Sequence, residues 1–580
     1  MRKFFALLFL LPLCLIASDK KKNYSETTLK IEKDWILLPM HGQEKYHKVD
    51  ILDDEGKAIF SASALMTDSK PNWRSPVNVS AYKGKEITIK VADLEKSPSI
   101  TQTDSPAWTT PYTNRARPLF HLTAKEGVMG ESCGLIYRKG QWHAFYLNNT
   151  LAMNPRGPYS VGHAVSDDLT QWFYRRPIYT PDFNGKDFVY ATGGSVASDE
   201  NGVHFLWRFS DESVRYGVST DLETIEWKGE ISAMSGGKSA PDIFYDADKK
   251  VWVALVEKNK KVDLYISKDL KDWNKTDTID VPFYAPTIHK MLLSGIETST
   301  KYVLINADGH YVVGDFDGEK FKKISPQLLK IFYGDVYGVK FFRNAPKGRN
   351  LAMPFVAQPA DLMRDVEQSF VNVMALPYEM RLADAREGLR LRVAVLPEII
   401  DYFGEGEDAL GVDSMSFQSN IFTLPDATGN NFALVFTFDS THVNTFSIGA
   451  GISRITYSKK YKCFDFIRIE DIRSSQPITD PIKNGFHDVM MFVDSYLIEA
   501  VFLDGSGVAF IGDSFINPEQ QIKFGATGKV FLEKVSRIPI LATTQIQRAT
   551  MAKKYLENLK KLEEEKKLQE QKKSQQTQEQ

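Results

Sequence analysis

Cysteine is nearly missing from this chain: there are 3 in 580 residues. Cys14 lies in a leading apolar run, and Cys133 and Cys463 fall in segments that read as different domains, which excludes a disulfide framework. Net charge is missing too. The 72 basic residues against 74 acidic ones leave −2, so no positive field argues for nucleic acid or an anionic membrane as partner. No apolar run beyond the leading one could span a bilayer, which takes roughly 20 residues, and no transmembrane anchor is expected. There is no Cys/His cluster at zinc spacing, no phosphate-cradling glycine loop and no Gly-x-Ser-x-Gly elbow. Metallohydrolase, nucleotide-dependent and serine-hydrolase chemistries therefore lack support, and no cofactor or metal is expected.

What is present is the composition of a folded protein, 43% hydrophobic and 25% charged. Met1-Arg2-Lys3, the apolar stretch Phe4 to Ala17 and then Ser18 read as a signal peptide over 1–18, which places the mature chain in a secreted or periplasmic location. Short alternating runs such as Glu86-Ile-Thr-Ile-Lys-Val91, broken by turn residues, predict a small N-terminal β domain over 24–105.

A phrase then recurs: Ser166-Asp-Asp-Leu-Thr-Gln-Trp172, Ser219-Thr-Asp-Leu-Glu-Thr-Ile-Glu-Trp227, Ser267-Lys-Asp-Leu-Lys-Asp-Trp273 and, more loosely, Gly314-Asp-Phe-Asp-Gly-Glu-Lys-Phe321. A period of about 50 residues between short β-rich runs is the mark of propeller blades. Four copies and a closing blade predict five over 115–398. Ser and Asp of each phrase should cap backbone amides in a turn while Trp packs between blades. A β-sandwich is expected over 405–542, and a charged helical or disordered tail, rich in Lys, Glu and Gln, over 543–580. The fold class is thus all-β.

From Arg117-Pro-Leu-Phe-His-Leu-Thr-Ala-Lys-Glu-Gly-Val-Met129 onward, the text resembles glycoside hydrolase family 32, the levanases, inulinases and invertases that cleave β-fructosides. Gly162-His-Ala-Val-Ser-Asp-Asp-Leu169, Val313-Gly-Asp-Phe-Asp-Gly318 and Phe492-Val-Asp-Ser-Tyr-Leu-Ile-Glu-Ala-Val-Phe502 carry the same likeness. The resemblance implies a five-bladed propeller followed by a β-sandwich. It also implies retaining chemistry, in which a carboxylate nucleophile and a carboxylic acid sit about 5–5.5 Å apart.

The implied chemistry matches far less well. Where the family has Trp-Met-Asn-Asp-Pro-Asn-Gly, with Asp as nucleophile, this chain has Val128-Met-Gly-Glu-Ser-Cys-Gly134, so Glu131 takes the nucleophile position. The family's Arg-Asp-Pro lines up with Ser239-Ala-Pro241, and Asp242, two residues past Ala240, is the candidate relocated carboxylate. The acid/base Glu of Glu-Cys-Pro-Asp is matched by Tyr284 in Tyr284-Ala-Pro-Thr287. A phenol with an ordinary pKa near 10 is a poor acid there. Leu147, Val161 and Ala191-Thr-Gly193 replace further sugar-pocket residues. Scaffold phrases persist while site phrases change together, which predicts a remodelled site on a retained fold.

Asp335, His289 and Asp182 are the candidate substrate-binding residues, with Asp187 in the same loop as Asp182. Three functions follow: carbohydrate recognition, of a fructan or another polysaccharide, with lost or altered catalysis; a retaining glycosidase that uses Glu131 as nucleophile; or a structural or interaction protein.

Overall fold

The computed structural model describes residues 23–108, 117–181, 189–294, 296–358, 368–450, 453–468, 473–479, 482–502, 504–512, 519 and 521–539. The segments read as signal peptide and charged tail, and the loop carrying Asp182 and Asp187, lie outside them.

The N-terminal domain is two facing sheets, in strand order Tyr24–Lys30, Glu86–Ala92, His47–Leu52, Ala58–Ala64 in one and Trp73–Asn78, Trp35–Met40, Thr101–Thr103 in the other. Alternation sets the faces: in His47–Leu52 and Trp73–Asn78 every second residue is buried. Ile36, Leu38, Ile87 and Ile89 share their core with Val128, Leu151, Met153 and Val371 of the next domain, so the sandwich is docked on that domain through apolar contact.

Five four-stranded blades follow. Their inner strands are Gly127–Arg138, Ala191–Asp199, Asp242–Asp246, Thr287–Leu293 and Val336–Arg343. The ring closes where Phe342 and Arg343 of blade 5 pair in parallel with Leu135 and Ile136 of blade 1. The recurring phrase builds the expected turn. Ser166 Oγ accepts the Leu169 amide at 2.8 Å, and Asp168 accepts those of Thr170 and Gln171 at 2.8 and 2.9 Å. Ser219 with Asp221, and Ser267 with Asp269, repeat it. The capped turn forces the central Leu169, Leu222 and Leu270 to φ of 68, 62 and 65°. Trp172 stacks on Phe342 of blade 5, and Trp227 meets Tyr179 of blade 1, so the tryptophans do pack between blades.

The C-terminal domain is a β-sandwich whose two sheets share one long strand, Gln521–Pro539. Its first part pairs with Val443–Ala450 in one sheet and its second with Asn431–Asp439 in the other. Phe332–Gly334, a link from the propeller, adds in parallel to Gly507–Gly512 of this sandwich.

The two domains are also joined by a fully buried polar cluster. Asp494 accepts the Leu119, Phe120 and His121 amides at 2.7, 2.9 and 3.1 Å, together with His121 Nδ1 at 2.8 Å and Asn431 Nδ2 at 2.5 Å. His121 Nε2 lies 3.1 Å from Glu499, which also accepts the Tyr378 hydroxyl and the Leu376 amide. No helix among the described residues is long and apolar enough to cross a membrane.

Candidate functional site in the propeller channel

Glu131 reaches the channel because its strand is bulged. Met129 pairs with Asn148 and Ser132 with Tyr146, so Gly130 and Glu131 together face the single residue Leu147. Bulges re-aim side chains, and two neighbouring inner strands carry them at the same level, between Ala191 and Gly193 in blade 2 and between Val336 and Val339 in blade 5.

Gly193 and Gly338, at φ of 141 and 112°, lie directly against the carboxylate. A Cβ on Gly193 would stand 2.9 Å from Glu131 Oε1 and 2.8 Å from the Ala240 Cβ, and one on Gly338 3.2 Å from the Glu131 Cβ. Gly193→Ala should therefore cost about 1–3 kcal/mol in denaturant unfolding. Gly56→Ala, also at positive φ but with nothing within 4 Å, should show the backbone part of that cost alone.

The channel is layered because inner-strand residues two apart share a face. The upper layer is Glu131 with Gly193 and Gly338 against it and Ala240 against Gly193. The next layer takes one residue from each inner strand, Cys133, Ser195, Asp242, Thr287 and Lys340. Glu131 is 8% exposed and Lys340 3%. No hydrogen bond reaches Glu131 Oε2, Ser195 Oγ or Lys340 Nζ from the described residues. Burial pushes the Glu131 carboxyl up to about 7, and the Lys340 charge opposes the shift. Burial, with Glu131 close by, holds the Cys133 thiol well above its ordinary value.

Above this layer stand four tyrosines. Tyr284 and Tyr337, 41% and 46% exposed, have ring centroids 5.9 Å apart, and Tyr159 and Tyr190 are 6.1 Å apart. Tyr337 is hydrogen-bonded to Tyr284. Burial and the Glu131 charge raise the Tyr284 hydroxyl further above its ordinary value, which makes it a still weaker acid than its residue type implied.

The other sequence candidates sit elsewhere. Asp242 lies in the deeper layer, but its Oδ2 takes Arg343 Nη2 at 2.7 Å, the Thr287 hydroxyl at 2.8 Å and the Ile288 amide at 2.9 Å. Burial would raise its carboxyl, yet the Arg343 and Lys340 charges and these bonds hold it below the ordinary value. It is an anion fixed in a blade-to-blade tie, without a proton to give.

His289 stacks on Phe341, donates to Asn350 Oδ1 across 2.9 Å and is held neutral, at about 3, by burial and the Arg343 charge. With Ser198, Tyr245, Lys290 and Asn344 it lines a 270 Å³ cavity. Ser198 and Asn344 are five and six residues down their strands from Gly193 and Gly338, roughly 16–20 Å below the Glu131 layer.

Asp335 was expected at the channel mouth from the text around it. Its carboxylate turns instead to the sandwich, where it pairs with Arg468 and accepts the Gly512 amide at 2.9 Å. The structure thus brings Tyr284 to Glu131 and commits the other three to ties or to the far opening. The sequence reading passed over Lys340, whose one signal was a lone cation in the apolar run Val339-Lys-Phe-Phe342, and it passed over the bulges.

Residues 121–392, the propeller, match the profile described as the Glycosyl hydrolases family 32 N-terminal domain, so this part of the chain is similar to glycoside hydrolase family 32. A levanase of Bacillus subtilis is 24% identical over 322 residues, covering 48% of this chain and 47% of that protein. Invertase 1 of Saccharomyces cerevisiae is 22% identical over 388 residues, covering 58% of this chain and 72% of the invertase. The chain thus spans about half the length of the levanase it matches. Among solved structures, an exo-inulinase from Aspergillus awamori superposes with a TM-score of 0.59 at 18% identity, over 74% of this chain and 99% of that one. A fructofuranosidase from Schwanniomyces occidentalis, complexed with fructosylnystose, gives 0.57 at 17%, over 74% and 100%. At these identities the superpositions speak for the fold.

Proposed function

We propose that this chain is a secreted carbohydrate-recognition protein on a family 32 scaffold, without the two-carboxylate machinery of a retaining glycosidase. One observation carries the reading. Among the described residues Glu131 holds a buried carboxylate oxygen without a partner at the channel, while Asp242 in the layer beneath is held by Arg343, Thr287 and Ile288. Hydrolysis with retention needs an ionised nucleophile and a separate proton donor. The group at the donor position is the Tyr284 hydroxyl, whose pKa burial has raised. Binding needs neither. The rim of Tyr159, Tyr190, Tyr284 and Tyr337 offers amphipathic rings to a sugar face and hydroxyls to its edge. Fructans are the first ligands to try, because the relatives include levanases and invertases.

The test is product release and polymer retention by the purified full chain on levan, inulin, sucrose and a panel of plant and algal polysaccharides, beside Glu131→Gln. Retention of one polymer without turnover is the expected result. Turnover abolished in Glu131→Gln would instead establish a glycosidase with Glu131 as its nucleophile. Neither retention nor turnover would leave an interaction protein.

A further inference from the structure

The deeper channel layer contains a group that the catalytic comparison does not account for. Lys340 Nζ is buried without a hydrogen-bond partner, and it forms no ion pair with Glu131 or Asp242 among the described residues. Both carboxylates nevertheless feel its charge, although they stand on blades 1 and 3 while Lys340 stands on blade 5. Only a position near the propeller axis lies close to both. A buried ammonium without an acceptor is costly, and Glu131, whose Oε2 is likewise without a partner, lies within reach of its charge. Two blades therefore present unsatisfied polar atoms to one space, an acceptor and a donor.

We infer that Lys340 is a ligand-contacting residue, and that the group it takes is a hydroxyl of a neutral sugar, shared with Glu131. The inference rests on the carbohydrate reading above and specifies its chemistry. An atom between an ammonium and a carboxylate has to accept from the first and donate to the second, and a hydroxyl does both. A sugar carboxylate would satisfy Lys340 but face the Glu131 charge, and a sugar amine would satisfy Glu131 but face Lys340. Both mismatches are penalised in a channel shielded from water. The channel accordingly selects uncharged polyols over uronates and amino sugars, and Lys340 is a specificity residue in addition to an anchor.

The experiment is titration of the full chain with levan, inulin and the polysaccharides of the same panel at pH 8, for the unmodified protein, Lys340→Met and Lys340→Arg. Polygalacturonate serves as the anionic comparison, and each variant is also melted. Hydrogen bonds to charged groups are worth roughly ten- to a hundredfold in binding. Lys340→Met should lose that factor on the retained neutral polymer, keep or raise its melting temperature because it removes an unpartnered buried charge, and reject polygalacturonate at least as strongly as before, because the cation that a sugar carboxylate would satisfy is gone and the Glu131 charge remains. Lys340→Arg, which keeps a donor, should recover part of the affinity.

Binding by Lys340→Met as tight as that of the unmodified chain overturns the inference and leaves the carbohydrate reading standing, with water alone between the two charges. A lower melting temperature with unchanged affinity in both variants overturns it in favour of a purely structural lysine. Preferred retention of polygalacturonate overturns the neutral-hydroxyl assignment. No retention of any polymer by the unmodified chain overturns the carbohydrate reading, and this inference with it.

Discussion

Asp494→Ala is expected to lose about 3–5 kcal/mol of stability, the range for breaking a buried charge pair by removing one partner, and to separate the propeller from its sandwich. The substitution strips the acceptor from five donors at once: three successive amides of 119–121, the His121 ring and Asn431. Those amides open the propeller, and Asp494 ends an inner strand of the sandwich, Phe486–Asp494, so four of the five lost contacts cross the domain seam and the fifth, to Asn431, lies within the sandwich.

The same cluster sets a pH signature. Burial alone would push His121 down, but the Glu499 charge, and hydrogen bonds to Asp494 and Glu499, raise it from 6.5 to about 9. A cation whose folded pKa is raised contributes stability that is fully present below the unfolded value and lost as pH climbs through the folded one. The window runs from about 6.5 to about 9. At roughly 1.4 kcal/mol per unit, the whole contribution is about 3 kcal/mol. Denaturant unfolding of the full chain across that window should show the slope, and Asp494→Ala should flatten it. An unchanged slope in the variant would mean that another group titrates there.

How much of this could be read from the text depends on how local each feature is. The Ser-x-Asp-Leu turns were legible because their donors and acceptors lie within five residues of one another and demand only side chains of that type at that spacing. The five blades were legible because the phrase repeats. Asp335 shows the limit. Its local text resembles a site phrase, yet the side chain answers to Arg468 and Gly512, which the chain brings in from the sandwich. The offset of Asp242 from Ala240 offers it as a relocated carboxylate, but its protonation is decided by Arg343, two blades further on. The position of Glu131 depends on bulges in blades 1, 2 and 5 that have no signature of their own beyond Gly130, Gly193 and Gly338. A strand with alternating burial announces itself; a shift of register by one residue does not.

That buried position gives Glu131→Gln an effect of unexpected sign: the variant should be more stable than the parent at pH 8 and equal to it at pH 4. Burial raises the carboxyl from 4.5 to about 7, with only Lys340 opposing. A raised folded pKa means that the group's contribution is intact below about 4.5 and is lost as pH rises through about 7. The shift of about 2.5 units corresponds to about 3 kcal/mol. Glutamine copies the protonated shape and does not ionise, so it escapes the loss. Melts of parent and variant at pH 4, 6 and 8 should converge at the acid end and diverge by several degrees at the alkaline end. The fall remaining in Glu131→Gln above about pH 6.5 belongs to His121, which Asp494→Ala removes separately. Parallel melting curves at all three pH values would mean that the carboxylate is solvated in the channel and ionises at an ordinary value. A chain under selection for stability alone would not keep an unpaired carboxylate in its propeller axis beside an unpaired ammonium. The cost falls on the residues aimed into the channel, which is what the proposed ligand site requires.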